Sequence, residues 1–238
     1  MRTHLSGLFG LFGLFSLFGL TQTAAPFPAA TRARPGPLAA DPRHSRWASA
    51  CGTQLTLRPV RTDDAPLLGE LFEQQLSRAA RHSRFHGAVG RLSAARLAWM
   101  AGADFKHHVA FIVTRWEDGL EHAIAEGRWV RTAVNPGAEF ALSVADAWQG
   151  CGIGQRLLAA LVQTAREQGL RCLTGDVLEG NQAMQSLARG QGFECGPHPE
   201  EPDLMRAELR LSSLPQRPTR AFAAVSAFSA FSTAAWQL

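Results

Sequence analysis

Along residues 54–211 the apolar positions follow two alternating spacings. Apolar residues at every second position, or a short unbroken apolar run, predict a strand, and apolar residues three and four apart predict a helix. The first run ends at Pro59, which cannot donate a hydrogen bond to a sheet. By these rules the predicted strands are 54–58, 108–114, 123–130, 139–144, 173–177 and 205–211.

Four helices are predicted between these strands. The segment TDDAP at 62–66 is typical of a helix N-terminus, because it combines capping side chains, first-turn acids and an early proline. Ser93 supplies a second cap, and Gly169 ends the longest helix. The predicted helices are 62–76, 93–100, 154–168 and 181–189.

The order of these elements favours one α/β (α+β) domain. Three consecutive strands with short turns, one of them at 135–137, predict an antiparallel run. Helices follow the fourth and fifth strands, so at least one pair of strands is predicted to be parallel. We expect a mixed, mostly antiparallel sheet flanked by helices over residues 51–213.

Both ends of the chain differ from this pattern. Residues 8–20 repeat LFG-like triplets, and the 13-residue apolar run is shorter than the roughly 20 residues of a membrane-spanning helix. Three hypotheses stay open for residues 1–50: a signal peptide within 1–25, a membrane-associating arm, or a low-complexity extension followed by a linker. Residues 214–238 are a biased tail to which we assign no function.

The charge distribution argues against a nucleic-acid partner. The 238-residue chain has a formal net charge of +4. Residues 1–50 hold five arginines and one aspartate, and residues 214–238 hold two arginines and no acid, so 51–213 has a net charge of −2. Binding to phosphates requires cations clustered on one face, and this central region has no basic run.

The reactive residue types limit the chemistry further. The four cysteines lack CxxC spacing, and the histidines show no metal-ligand spacing, so no metal site is predicted. A reduced, intracellular chain is the favoured interpretation. The chain contains one lysine, Lys106, and no tyrosine.

The most specific segment is QGCGIGQR at 149–156, between a predicted strand and the longest helix. Glycines at such a junction let the backbone approach a ligand closely, and the free N–H groups of the helix start favour a phosphate. An ordinary tight turn is the alternative. The GxGxxG dinucleotide pattern is not matched and the P-loop lysine is missing, which excludes ATP hydrolysis of that type.

This segment resembles the Q/R-x-x-G-x-G/A motif of the GNAT N-acetyltransferase family, as Gln149-x-x-Gly152-x-Gly154. The later run N-x-x-M-x-x-L-x(4)-G-F at 181–193 and the opening LTLRPVRTDDAPLL at 55–68 are also similar to that family. Within it, RFHG at 84–87, AEFA at 138–141 and the 184–189 helix look most like the catalytic domains of bacterial Pat-type protein lysine acetyltransferases.

The resemblance implies acetyl-CoA as co-substrate, bound in a cleft where strands four and five splay apart. The pantetheine arm would pair with the backbone of the fourth strand, the pyrophosphate would lie on the loop, and Asn181 would reach the pantetheine or the acetyl group. Cys151 is interpreted as a bystander in the loop. The implied contact residues are Ser143, Val144, Ala145, Gln149, Gly150, Cys151, Gly152, Ile153, Gly154, Gln155 and Asn181.

Direct transfer to an amine requires a base, because an alkylammonium with a pKa of about 10.4 is protonated at neutral pH. Glu139 is the first candidate for this base, because it lies on the strand that leads into the loop. Glu126 on the preceding strand is the second candidate, and His108 is the third. An exposed, ion-paired strand carboxylate is the alternative for Glu139. Many family members have a tyrosine directly after the helix leucine, where this chain has Ala188, so the thiolate leaves unaided or another group protonates it.

These observations predict an acetyltransferase that acts on a primary amine. A protein lysine is the favoured acceptor, a small amine is the alternative within the class, and a non-catalytic acetyl-CoA sensor is the alternative outside it. The predicted location is the cytoplasm, since export would separate the chain from its donor.

Overall fold

A computed structural model describes residues 43–87, 90–132 and 137–211. The predictions for residues 1–42 and 212–238, and for the turn at 135–136, lie outside the described residues. The strands are β1 Ser45–Ala48, β2 Gln54–Pro59, β3 His108–Glu117, β4 Leu120–Arg131, β5 Gly137–Val144, β6 Cys172–Leu178, β7 Glu194–Pro197 and β8 Leu204–Arg210. The helices are α1 Ala65–Glu70, α2 Arg78–Phe85, α3 Ala94–Ala101, α4 Ile153–Glu167 and α5 Gln182–Gly190, with a 3₁₀ turn at Thr62–Asp64, a π turn at Leu71–Gln75 and a second 3₁₀ turn at Asp146–Trp148.

All eight strands form one sheet in the order β1-β2-β3-β4-β5-β6-β8-β7. Six of the seven pairings are antiparallel, and only β5 and β6 run parallel, joined through α4. The predicted fold class, a mixed and mostly antiparallel sheet flanked by helices, is therefore confirmed.

The six predicted strands are present with slightly different ends, and two short strands were missed. β1 pairs with β2 from Ser45 to Ala48, so the sheet begins before the predicted domain start at residue 51. β7 pairs only with β8. Both are four-residue strands at the two edges of the sheet, too short for a recognisable alternating pattern.

Helix α2 was also missed, and the first predicted helix is divided into three. The sequence of α2, RAARHSRF, is polar on most of its surface, so it lacks an apolar stripe. Its N-cap was nevertheless present in the sequence, since Ser77 Oγ accepts a hydrogen bond from the N–H of Ala80 at 3.1 Å. The predicted 62–76 helix forms as a 3₁₀ turn, α1 and a π turn.

The helices cover both faces of the sheet. α1 packs on β4 and on α3, and α4 packs across β3, β4 and β5. The register pairs Glu126 with Ser143 and Val130 with Glu139, which places these four side chains on one face. Phe140 and Leu142 point to the opposite face, so the two faces of β5 have different surroundings.

The strands β5 and β6 separate after a short contact. Their pairing ends at Glu139 and Thr174, although β5 continues to Val144. Just beyond this point the Phe140 ring lies over Gly175, where an added Cβ would be 2.6 Å from the ring carbon Cε1. The ring occupies the space that a β6 side chain would need, and a wedge-shaped opening follows between the two strands.

Candidate active site

The opening between β5 and β6 continues into a cleft of about 1020 Å³. This volume is at the upper end of the range typical of ligand clefts, about 300–1,000 Å³. Its walls come from the C-terminal half of β5, from β6, from the starts of α4 and α5, and from α2. The predicted splay between the fourth and fifth strands of the sequence analysis thus opens into this cleft.

The glycine loop forms one end of the cleft. Gly152 is the N-cap of α4 with φ +76°, a left-handed conformation that favours glycine. The N–H groups of the first turn of α4, which follow Gly152 directly, have no carbonyl one turn earlier to which they could donate. An added Cβ at Gly150 would meet nothing within 4 Å, so the loop backbone is open to a ligand. A phosphate fits this arrangement.

Most of the predicted contact residues line this cleft. They are Ser143, Val144, Gln149, Gly150, Gly152, Ile153, Gly154, Gln155 and Asn181. Ser143 is buried, and its Oγ has no hydrogen-bond partner among the described residues, as expected of a group that a ligand satisfies. Ala145 is buried and its N–H donates to the Ile124 carbonyl, so it is held by β4 rather than turned to the cleft.

Three predicted residues make contacts that the sequence did not indicate. The Gln149 side chain donates back to the Val144 carbonyl at 3.3 Å and stabilises the loop. The Asn181 Oδ1 accepts from the N–H of Met184 at 3.1 Å and so caps α5 at the cleft wall. Cys151 is exposed, does not line the cleft, and lies with its thiol 3.7 Å from the Gln149 carbonyl.

The two candidate carboxylates lie at different depths. Glu139 is on the cleft wall, at the last paired position before β5 leaves β6. Glu126 does not line the cleft and is fully buried on β4. The Nε of Arg128 donates to its Oε1, and Arg84 Nη2 is 3.7 Å from its Oε2. Of the two candidate bases, Glu139 and not Glu126 therefore has direct access to the cleft.

His108 belongs to the same buried cluster as Glu126. Its Nε2 is 3.0 Å from Arg128 Nη1, and its ring stacks on Trp99 with centroids 4.6 Å apart. Burial, assisted by the charge of Arg128, lowers the pKa of His108 to about 3. The ring is therefore neutral near pH 7, and the Arg128 contact requires Nε2 to accept.

Several charged residues to which the sequence analysis assigned no role line the cleft wall. Arg84 and His86 come from the end of α2, and Asp176 comes from β6. Asp176 accepts from Arg206 Nε at 2.6 Å, and His198 Nδ1 accepts from the N–H groups of Glu200 and Glu201. Asp176 and Arg206 are 30 residues apart in the chain, so no local spacing could have linked these two residues.

All four cysteines lie within the described residues, and all four are free thiols. No group of three metal-ligating side chains occurs within residues 43–87, 90–132 and 137–211. No helix in these ranges is both long and apolar enough to cross a membrane.

Comparison with protein families gives one matching model, described as the acetyltransferase (GNAT) family, over residues 68–193, just over half of the chain. The chain is 29% identical over 150 residues to Acetyltransferase PA5475 of Pseudomonas aeruginosa, covering 63% of this chain and 80% of that protein. It is 32% identical over 139 residues to Acetyltransferase Pat of Mycolicibacterium smegmatis, covering 57% of this chain but only 40% of that protein.

Among solved structures, the GNAT domain of S. lividans PAT matches with a TM-score of 0.63 and 27% identity, over 73% of this chain and all of that one. The structure of yncA from Salmonella typhimurium with its cofactor acetyl-CoA matches with a TM-score of 0.53 and 21% identity, over 68% of this chain and 96% of that one. The second likeness is one of fold.

Proposed function

The chain belongs to the GNAT acetyltransferase family, and from that premise we propose that it transfers the acetyl group of acetyl-CoA to the side-chain amine of a protein lysine, with Glu139 as the base. The family match and the similarity to proteins named acetyltransferases confirm the resemblance found in the sequence and support an N-acetyltransferase. Acetyl-CoA is the co-substrate that this fold and family use.

The cleft supports a specific placement of acetyl-CoA. The pyrophosphate fits the N–H groups at the start of α4, because the helix end is positively polarised and the glycines leave the backbone open. The pantetheine arm fits the free edge of β5 between Phe140 and Val144, where β6 has separated. Its amides would then pair with that edge as an additional strand does.

A protein lysine is supported by two observations. The sequence motifs resemble Pat-type protein lysine acetyltransferases, and the proteins similar to this chain include two Pat proteins, in one case over all of the solved GNAT domain. Several carboxylates line the cleft, among them Asp176, Glu200 and Glu201, and carboxylates favour a cationic ammonium group. Since the chain spans two fifths of the Mycolicibacterium protein, the acceptor is proposed from the site and not from that protein as a whole.

The observation that supports Glu139 most directly is its place in the cleft. An ammonium group with a pKa of about 10.4 must lose a proton before it can attack the thioester carbonyl. Glu139 is on the cleft wall beside the edge that would hold the pantetheine, whereas Glu126 is held below it by Arg128. We therefore assign the proton transfer to Glu139 and a positioning role to Glu126.

The test is to incubate the full chain with acetyl-CoA and a panel of lysine-containing proteins, peptides, polyamines and aminoglycosides. Release of the CoA thiol and the product mass are both followed. Glu139→Gln is expected to lower kcat by about 10²–10⁴-fold, the usual contribution of a general base, with little change in the affinity for CoA. Glu167→Gln is the matched control, because Glu167 is exposed and does not line the cleft.

The single lysine simplifies the analysis of products. An amide-linked acetyl group found on the chain itself can lie only at Lys106 or at the N-terminal amine, so Lys106→Arg separates self-acetylation of the lysine from transfer to the acceptor. Transfer to small amines alone would replace the protein lysine by the small-molecule alternative. Tight CoA binding without transfer to any acceptor would favour the sensor and contradict the proposal.

The cytoplasm is the location that fits this proposal, because export would separate the enzyme from its donor. The mass of the N-terminal peptide of the purified protein tests this, since a start beyond about residue 23 indicates cleavage of a signal peptide. An intact residue 1 is the expected result.

A further inference from the structure

Arg84 is a buried cation on the cleft wall that the proposed transfer does not use. Its side chain is only 6% exposed, and it lines the cleft together with its neighbours Phe85 and His86. The Nε of Arg84 has no hydrogen-bond partner among the described residues. A guanidinium has five N–H donors, and leaving one of them unsatisfied in a buried position costs free energy.

The carboxylates near Arg84 do not fully engage it. Its Nη2 is 3.7 Å from Glu126 Oε2, which is longer than a hydrogen bond. Glu126 is bound more tightly by Arg128, whose Nε donates to the other oxygen. Glu139 is close enough to oppose the effect of burial, which lowers the pKa of Arg84, but Glu139 is needed on the cleft side as the proposed base.

A second guanidinium lies beside the first. Arg96 of α3 also lines the cleft, and Arg84 and Arg96 both stack on the Phe85 ring, with 5.1 and 4.9 Å from guanidinium carbon to ring centroid. Burial and the charge of Arg84 lower the pKa of Arg96 to about 10. Two like charges on the wall of one cleft repel each other, and an anion bound in the cleft near both of them relieves that repulsion.

From this geometry we infer that Arg84 and Arg96 form a recognition site for a carboxylate on one of the two substrates. The class of ligand is a carboxylate because planar guanidinium groups match its two oxygens. It can come from the free end of a dicarboxylic acyl group on CoA, such as a succinyl group, or from the α-carboxylate of an amino-acid acceptor. The inference rests on the proposed amine acyl transfer in this cleft.

The chemical step is the same with either source of the carboxylate. One proton of the acceptor ammonium passes to Glu139, the nitrogen forms a bond to the thioester carbonyl carbon, and the carbon–sulfur bond breaks. The second proton of the nitrogen leaves with the CoA thiol. The carboxylate is unchanged in the reaction, and Arg84 is a specificity residue and not the base.

The experiment compares substrates that differ in the carboxylate but have similar size. In the donor arm, succinyl-CoA is compared with butyryl-CoA on the acceptor that gives the highest acetyl transfer. In the acceptor arm, free lysine is compared with lysinamide at saturating acetyl-CoA. A hydrogen-bonded charge pair predicts at least about tenfold higher kcat/KM for the charged member of one arm. The arm that shows the preference identifies the source of the carboxylate.

The variants test whether Arg84 causes the preference. Arg84→Gln is expected to remove it, so that the charged and the neutral substrate of that arm give equal kcat/KM, and Arg84→Lys should restore part of it. Arg78→Gln is the matched control on the same helix, since Arg78 is exposed and does not line the cleft. If Arg84→Gln does not fold, the wild-type preference and the Arg84→Lys variant still decide the question.

Equilibrium binding separates this inference from the proposed function. If no donor supports transfer, the proposed function fails, and the Kd values of succinyl-CoA and butyryl-CoA, or of lysine and lysinamide with CoA present, still report on the carboxylate site. Equal values of kcat/KM and of Kd within both arms, with acetyl transfer intact, would overturn the inference alone.

Discussion

Two buried arginine–carboxylate networks lie on the same face of the sheet, and they differ in how completely they are satisfied. Arg58 pairs in the sheet with Ile112, and Ile112 pairs with Glu126, which places both networks on one face. The first consists of Arg58, Asp64 and Glu121. The second consists of Arg84, Glu126, Arg128 and His108.

The first network is closed. Arg58 donates to both oxygens of Asp64, at 2.6 and 2.9 Å, and its Nε donates to Glu121 at 3.1 Å. Asp64 also accepts from the N–H of Arg61 at 2.7 Å, which joins the end of β2 to the start of α1. None of the side-chain atoms of Arg58, Asp64 and Glu121 is buried without a partner in the described part of the chain.

The second network is open. Arg84 Nε, Glu126 Oε2 and Arg128 Nη2 are buried without a hydrogen-bond partner among the described residues. Unsatisfied buried groups are rare in folded proteins and cost free energy, so their presence next to a cleft indicates a function beyond stability. Similar residue types thus form one network in which every buried side-chain atom has a partner among the described residues and one next to the cleft in which three buried atoms do not, and we infer that the second serves the proposed site.

The largest expected effect is the loss of stability on opening the closed network. Asp64→Asn removes the charge opposite Arg58 in a fully buried position, and such a change costs about 3–5 kcal/mol of unfolding free energy. Urea unfolding followed by circular dichroism measures it. Asp63→Asn, at the exposed neighbouring position, is the control and should change stability by less than about 0.5 kcal/mol. A loss below about 1 kcal/mol for Asp64→Asn would show that the network is not structural.

The parts of this comparison that depend on local pattern could be predicted from the sequence. A continuous apolar run identified β3, and the cap Ser93 marked the start of α3. The glycine loop was found because its residues are contiguous. These features depend on neighbours within a few positions, which a sequence displays directly.

The networks could not be predicted, because their members meet only in the folded sheet. Arg58 and Glu121 are 63 residues apart, and their contact depends on the register of three strands. Helix α2 was not predicted, because only three of its eight residues are apolar, so the approach of Arg84 to Glu126 was not foreseen. For the same reason Glu126 was treated as a possible base, although its burial under α2 and α3 keeps it from the cleft.

A smaller effect is expected from the matching change in the open network. Glu126→Gln should lower the unfolding free energy by about 1–3 kcal/mol, less than Asp64→Asn. Glu126 accepts a hydrogen bond through one oxygen only, and the charge of Glu139 still favours the charged form of Arg84 after the change. The same urea titration measures both variants. Glu117→Gln, at an exposed carboxylate, is the control. Equal losses for Glu126→Gln and Asp64→Asn would remove the distinction between the two networks.

The effect that is smallest near neutral pH is a dependence of stability on pH that arises from His108 in the open network. The pKa of His108 is about 3 in the folded protein, mainly because of burial, against an ordinary value of 6.5. Between these values the unfolded chain binds a proton that the folded chain does not, so stability falls as the pH falls below about 6.5. The expected slope from this residue is about 1.4 kcal/mol per pH unit from about pH 6 to pH 4.

The variant His108→Gln isolates this contribution, because a glutamine oxygen can still accept from Arg128 Nη1 but has no titrating group. Urea unfolding at pH 7, 6, 5 and 4 should give a shallower decline for the variant than for the wild type. His107→Gln is the control, since His107 is the exposed neighbour. An unchanged slope in His108→Gln would show that His108 is not held neutral in the folded protein and would contradict this prediction.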